Sequence, residues 1–224
     1  MNDLVLITSV INTGTNPWSY IHSRSTYSPS QRFAQTLETI ESVHKYLPNS
    51  KILLIECSDM PQEFTSTLIR KVDYFVNLYE YNLVRMACLE TNKKGFGEAM
   101  QTKFACEFIQ QHNLQFDRFF KISGRYSFTE QFHQELYSHQ HFTFKKRVST
   151  GDGNIAISTV VFSFPYHLFS HFYKSLCEVV EYYETQSPKG YEELLPIRCE
   201  PRNEIETIGV SGYVAVTKNE FFTA

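Results

Sequence analysis

Apolar positions along the chain fall into short continuous runs, separated by longer stretches in which apolar residues recur every three to four positions. The first pattern is that of strands buried on both faces and the second that of amphipathic helices. The runs predict strands at 4–10, 51–57, 74–78 and 118–122, and the intervening stretches predict helices at 29–46, 62–71 and 97–112. Ser28-Pro29 opens the first helix, with serine as cap and proline in the first turn. Residues 12–28 form a long polar loop. Strands alternating with helices in this way predict an α/β fold: a mostly parallel, Rossmann-like central sheet flanked by helices, with ligands at the carboxyl ends of the strands.

Beyond residue 128 the texture changes to a mixed part. Here the pattern predicts a short helix at 129–137, strands at 142–147 and 155–164, helices at 166–184 and 191–195, and a last strand at 205–216. Asp152-Gly153, between two strand-like runs, is a hairpin signal. With no repeat, low-complexity tract or long linker, residues 1–224 read as a single domain, 1–128 being a nucleotide-binding half and 129–224 a mixed half.

At 224 residues and 42% hydrophobic, the chain can bury a sizeable core. Its 21 Lys+Arg against 24 Asp+Glu give a net charge of −3, which lacks the basic footprint of a nucleic-acid-binding protein. Five dispersed cysteines without a CxxC pair argue against a disulfide framework or zinc knuckle and point to reduced thiols in a cytoplasmic protein. An acid at Asp3 does not suit a secretory leader, and no apolar run is long enough for a transmembrane segment, so any membrane contact is expected to be peripheral.

Several chemistries fail on spacing. Gly95-Phe96-Gly97 lacks the third glycine of a dinucleotide fingerprint, and no P-loop occurs. Gly209-Val210-Ser211-Gly212-Tyr213 has tyrosine where a nucleophile elbow needs its second glycine. His167 and His171 are a helical turn apart, but Leu168 stands where a zinc protease needs glutamate.

The positive signals sit where strands should end. Thr8 and Ser9 leave the first strand, and Arg24 with Arg32 brings positive charge suited to a diphosphate. Glu56 ends the second strand, where it could accept hydrogen bonds from a ribose or base. Lys93, Lys94, Gly95 and Gly97 precede a helix start, in a pattern that reads as a phosphate loop. Ser123, Gly124, Arg125 and Tyr126 follow directly on the apolar fourth strand. Each segment also has a plain reading as solvated loop or strand-end ion pair.

Taken in order, the arginine-bearing loop, Lys94-Gly95-Phe96-Gly97-Glu98 and Phe120-Lys121-Ile122-Ser123-Gly124-Arg125-Tyr126 resemble GT-A-type glycosyltransferases, in particular short members from bacteria and large DNA viruses. The resemblance implies a nucleotide-diphosphate sugar donor held by residues 1–128 and a glycan or other hydroxyl acceptor held by residues 129–224. In that superfamily an Asp-x-Asp at the end of the fourth strand holds a divalent cation, Mn or Mg, against the diphosphate. Here Ser123-Gly124-Arg125 takes that slot and no Asp-x-Asp occurs, so no metal ligand is assigned; Glu204-Ile205-Glu206 is the one acidic pair at that spacing. A guanidinium can neutralise phosphate oxygens instead, which gives Arg125 a role. Gly190-Tyr191-Glu192-Glu193-Leu194-Leu195 resembles the acidic element under the acceptor site, so Glu192, then Glu193, then Asp152 are the candidate catalytic bases. The reading is a glycosyltransferase of glycan assembly; the missing acidic motif keeps open a non-catalytic sugar-nucleotide or glycan-binding module.

Overall fold

A computed structural model describes residues 2–17, 23–93, 95–149, 155–185, 189–214 and 221–224. Lys94, Asp152 and the rest of the 151–154 turn lie outside the described residues. The first half runs β1 (Asp3–Ser9), α1 (Pro29–Tyr46), β2 (Lys51–Glu56), α2 (Gln62–Ile69), β3 (Tyr74–Asn77), α3 (Asn82–Arg85), α4 (Phe96–Gln111), β4 (Arg118–Ser123) and β5 (Tyr126–Phe128). The second half continues with β6 (Phe142–Lys145), β7 (Val148–Ser149), β8 (Ile155–Ala156), β9 (Val161–Pro165), α5 (Phe169–Thr185), α6 (Tyr191–Leu194), β10 (Arg202–Ile205), β11 (Val210–Tyr213) and β12 (Phe221–Thr223).

Among the described residues, seven strands form the central sheet in the order β10-β6-β9-β4-β1-β2-β3. Strands β3, β2, β1 and β4 are parallel, and β9 runs antiparallel to both β4 and β6. The expected α/β architecture, a mostly parallel sheet between helices with a mixed second part, is the one observed. Both sheet faces are buried and the two-residue period sorts side chains between them. Leu4, Leu6, Leu53, Ile55 and Phe119 join the core that holds residues of α4 and α5, whereas Val5, Ile7, Ile52, Leu54 and Phe120 join the core that holds residues of α1. Lys121 shares the α4 face with Phe119 and is wholly buried.

Helix α1 begins and ends where the sequence predicts, because its start is encoded locally: the Ser28 hydroxyl accepts from the Gln31 N–H (3.3 Å) and the Gln31 side chain accepts from the Ser28 N–H (2.9 Å). Three expectations in the second half need correction. The helix expected at 129–137 is a single 3₁₀ turn, Gln134–Leu136, since the Thr129 N–H goes to the Gly209 carbonyl (2.9 Å) rather than up a helix. The strand expected at 155–164 is cut in two because the Ile157 N–H bonds the Glu192 carbonyl (3.1 Å) and the Thr159 carbonyl accepts from Lys121 Nζ (2.9 Å). The strand expected at 205–216 breaks at Gly209, whose φ is +69° and whose missing Cβ would lie 2.2 Å from Phe132 Cα. The resulting β11 pairs with β12 and β5 in a small antiparallel sheet. The expected hairpin survives as the short ribbon of β7 and β8.

Candidate functional site

Strands β1 and β4 end side by side, Thr8 in register with Ser123, and the chain leaves them in different directions. A cavity of about 260 Å³ opens at this carboxyl edge, where a doubly wound sheet places its ligands. Thr8, Ser9, Arg24, Arg32, Gly95, Gly97, Ser123, Arg125, Tyr126 and Glu192 line it, all of them singled out in the sequence. Thr13, Cys88, Glu98, Gln101, Ser158 and Thr159 complete the polar part of the wall.

The edge is tied together by short polar links. The Ser9 and Thr36 hydroxyls lie 3.1 Å apart, and the Thr36 hydroxyl can donate to either the Arg32 or the Gly124 carbonyl, joining α1 to the ends of β1 and β4. Gly124 donates its N–H to the Thr8 carbonyl at 2.8 Å, and Gln101 Nε2 donates to the Ser9 carbonyl at 2.6 Å.

Three guanidinium groups reach the cavity by different routes. Arg24 donates to the Asn16 carbonyl (2.7 Å), to the Cys88 carbonyl (2.8 Å) and to the Thr91 carbonyl, so it clamps its own loop to the turn before α4. Arg32 is 7% exposed; it donates Nε to the Val10 carbonyl at 2.6 Å and Nη1 to the Ser25 hydroxyl at 3.4 Å. Burial, followed by the nearby charge of Arg125, pulls the Arg32 pKa down to about 9 against the weaker opposing pull of Glu56. Arg125 donates Nη1 to the Tyr213 carbonyl (3.0 Å) and lies 5.2 Å from the centre of the Tyr126 ring. The strand that follows it, β5, is held close to β11 because Gly212 has no Cβ: one there would sit 2.2 Å from the Arg125 carbonyl oxygen.

Lys121 is the charged group that sequence reasoning missed, hidden inside the apolar run of β4. Its ammonium contacts the Glu98 carboxylate, the Ser123 hydroxyl (2.7 Å) and the Thr159 carbonyl (2.9 Å). Burial lowers the Lys121 pKa, and the negative charges of Glu98 and Glu192 oppose that fall. The available signal was a lysine two residues before a strand end, which is where the two-residue period turns a side chain onto the α4 face.

Other candidates sit outside the wall. Glu56 is fully buried and accepts from the Ile11 N–H (2.9 Å), the Cys57 N–H (3.0 Å) and the Ser58 hydroxyl (2.6 Å), so it braces the loops after β1 and β2; burial raises its pKa. Lys93 donates to the Tyr183 carbonyl, and Gly124 contributes backbone links alone. Glu193 Oε1 accepts from the Gly190 N–H (3.0 Å) at the start of α6, leaving its neighbour Glu192 on the cavity wall. The glycines at the start of α4 answer to packing: a Cβ on Gly95, whose φ is +83°, would lie 2.7 Å from Tyr191 Cβ, and one on Gly97 would lie 2.8 Å from Cys88 Cα. Glu204 is held by Arg147 (2.6 Å) and Arg202 (3.0 Å) and Glu206 by Lys146, so the one acidic x-spaced pair is engaged in ion pairs on and beside β10.

The side chains that the end of β4 itself contributes, an ammonium, a hydroxyl and a guanidinium, are not the carboxylate or carbonyl oxygens a hard dication needs; Glu98 and Glu192 bring carboxylates to the cavity from other elements, and no group of three acidic, histidine or cysteine side chains converges among the described residues. No helix among the described residues is long and apolar enough to cross a membrane.

No protein-family model and no curated protein sequence matches the chain. Solved structures do match in fold. The crystal structure of the glycosyltransferase GlyE from Streptococcus pneumoniae TIGR4 has a TM-score of 0.50 at 13% identity, over 91% of this chain and 45% of that one. The nucleoside-diphosphate-sugar pyrophosphorylase from Vibrio cholerae RC9 has a TM-score of 0.50 at 10% identity, over 92% of this chain and 93% of that one. The chain spans less than half the length of the GlyE structure it matches. At these identities the likeness is one of architecture: a fold shared with a glycosyltransferase and with a nucleoside-diphosphate-sugar pyrophosphorylase.

Proposed function

We propose that the protein is a GT-A-like glycosyltransferase that moves a sugar from a nucleoside-diphosphate donor to an acceptor hydroxyl in glycan assembly. The observation that carries this reading is the meeting, in one cavity at the carboxyl edge of β1 and β4, of Arg24, Arg32 and Arg125 with the carboxylates of Glu98 and Glu192. As the bond from the sugar's anomeric carbon to the diphosphate breaks, negative charge grows on the departing phosphate oxygens. Arg32 and Arg125 are fixed in advance to meet that charge, the first through the Val10 carbonyl and the second through the Tyr213 carbonyl. Glu192 takes the proton of the acceptor hydroxyl as its oxygen bonds to the anomeric carbon. The donor set at the end of β4 supports charge neutralisation by these guanidinium groups without a divalent cation.

Calorimetry with UDP and GDP, in the presence of a chelator, tests the donor half of the proposal. Binding tighter than millimolar is expected, and Arg125→Ala should weaken it by about 1.5–3 kcal/mol, the range for a hydrogen bond to a charged group. No binding of either nucleotide to the folded protein rejects the reading. Glu192→Gln should keep donor binding and lower turnover roughly a hundredfold, within the usual range for general-base catalysis. Binding with neither sugar transfer nor donor hydrolysis would mark a sugar-nucleotide-binding module instead.

A further inference from the structure

We propose that Glu98 is the residue that reads the hydroxyl groups of the donor sugar, with Lys121 as the positioning residue that aims it; this rests on the nucleotide-sugar reading above. Glu98 stands in the first turn of α4, lines the cavity, and keeps about a quarter of its side chain exposed. One of its oxygens, Oε1, meets the Lys121 ammonium, and Oε2 has no hydrogen bond among the described residues.

The ion pair itself calls for a reason. Lys121 is completely buried on the face it shares with Phe119, and an apolar residue of similar volume is often at least as stable there as a buried charge. The ammonium is anchored independently by the Ser123 hydroxyl and the Thr159 carbonyl, so the contact fixes where the Glu98 carboxylate points. With Oε1 taken up by the Lys121 ammonium, the carboxylate has Oε2 left to offer a ligand. In a cavity that also holds three guanidinium groups it repels phosphate. What remains for Oε2 is to accept hydrogen bonds from neutral donors, and sugar hydroxyls are the donors that a nucleoside-diphosphate sugar brings.

The two parts of the ligand therefore respond in opposite directions when the charge is removed. In Glu98→Gln, UDP or GDP alone should bind severalfold tighter, since an anion site has lost a negative group. The factor by which the attached sugar strengthens binding, measured with UDP-glucose, UDP-galactose, UDP-N-acetylglucosamine and GDP-mannose against the bare nucleotides, should fall tenfold or more for the preferred donor. Lys121→Met should also reduce the sugar's contribution, and Lys121→Arg should restore part of it. If the sugar's contribution in Glu98→Gln equals that of the parent, or if nucleotide and sugar nucleotide weaken together, the role is refuted while the nucleotide site stands. If the parent binds no bare nucleotide, the functional reading falls and takes this assignment with it. Glu98→Gln preserves volume, and a single cooperative melting transition establishes that it is folded; its midpoint should lie below the parent's, because the buried Lys121 ammonium loses its carboxylate.

Discussion

Arg32 is a strained element of the cavity, in the sense that its charge is buried before any anion arrives. A fall of its pKa from the usual arginine range to about 9 corresponds to a penalty on the charged form of about 4–5 kcal/mol. Arg32→Met removes that penalty, but it orphans the Val10 carbonyl at a cost of about 1–3 kcal/mol. It also withdraws the cation that favours ionised Glu56. The balance is a gain of about 1–2 kcal/mol for the unliganded protein, or a melting temperature higher by roughly 2–8 °C for a chain of this size. The charged form is the same in folded and unfolded chains at neutral pH, so the penalty is constant there. As pH rises through about 9 the folded protein releases the proton first, the parent recovers stability, and the advantage of the variant shrinks. Function runs the other way: loss of charge-assisted contacts worth about 1.5–3 kcal/mol should raise the Kd for UDP or GDP roughly 10- to 150-fold, and the nucleotide-induced thermal shift should largely disappear. Differential scanning fluorimetry between pH 7 and 10, with and without nucleotide, measures all of this. A variant that melts several degrees below the parent at pH 7, or that keeps the parent's thermal shift, refutes the argument.

Gly95→Ala should destabilise the fold by about 2–4 kcal/mol, combining a positive φ with overlap on Tyr191, and urea midpoints will show it. Asp3→Ala should cost about 3–5 kcal/mol in the same assay, because it strips the buried Arg118 guanidinium of a carboxylate 3.1 Å away at the opposite edge of the sheet. The arginines around Glu204 hold its carboxyl at about 2, so its contribution is present above the unfolded value near 4.5 and is lost as pH falls toward 2. Glu204→Gln should therefore lower stability by about 1–2 kcal/mol at pH 7, after allowance for solvent around Arg147, with parent and variant converging near pH 2.

Much of the first half was legible because its signals are local. Ser28, Pro29 and Gln31 fix the start of α1 within four residues, and β1, β2 and β3 each carry an unbroken apolar run. The second half depends on distant partners. Strand β5 is three residues long and exists because Val210, Ser211 and Gly212 pair with it from more than 80 residues away. Gly209 and Gly212, which the sequence offered as a failed nucleophile elbow, are needed because other backbone passes where their side chains would be. At the site, arginines in polar loops announced themselves, whereas Lys121 did not, since its carboxylate partner lies 23 residues earlier on another element. Which of Glu192 and Glu193 lines the cavity could not be read from adjacency; Glu193 accepts from the Gly190 N–H at the start of α6, and Glu192 is the one on the cavity wall.

The hydrogen bond from Arg125 to the Tyr213 carbonyl, with Gly212 against the Arg125 backbone, bears on modularity. Among the described residues, those up to 128 contain every guanidinium that lines the cavity, which invites treating them as a transplantable cassette. Such a cassette would arrive without the strand that orients Arg125 and without β9, which covers the outer edge of β4. It would expose a hydrophobic ribbon of unpaired amides along Phe119, Phe120 and Ile122, an open invitation to edge-to-edge aggregation. Exchanges whose two junctions both fall between β6 and β9 would instead leave β9 paired with β4 and β11 paired with β5.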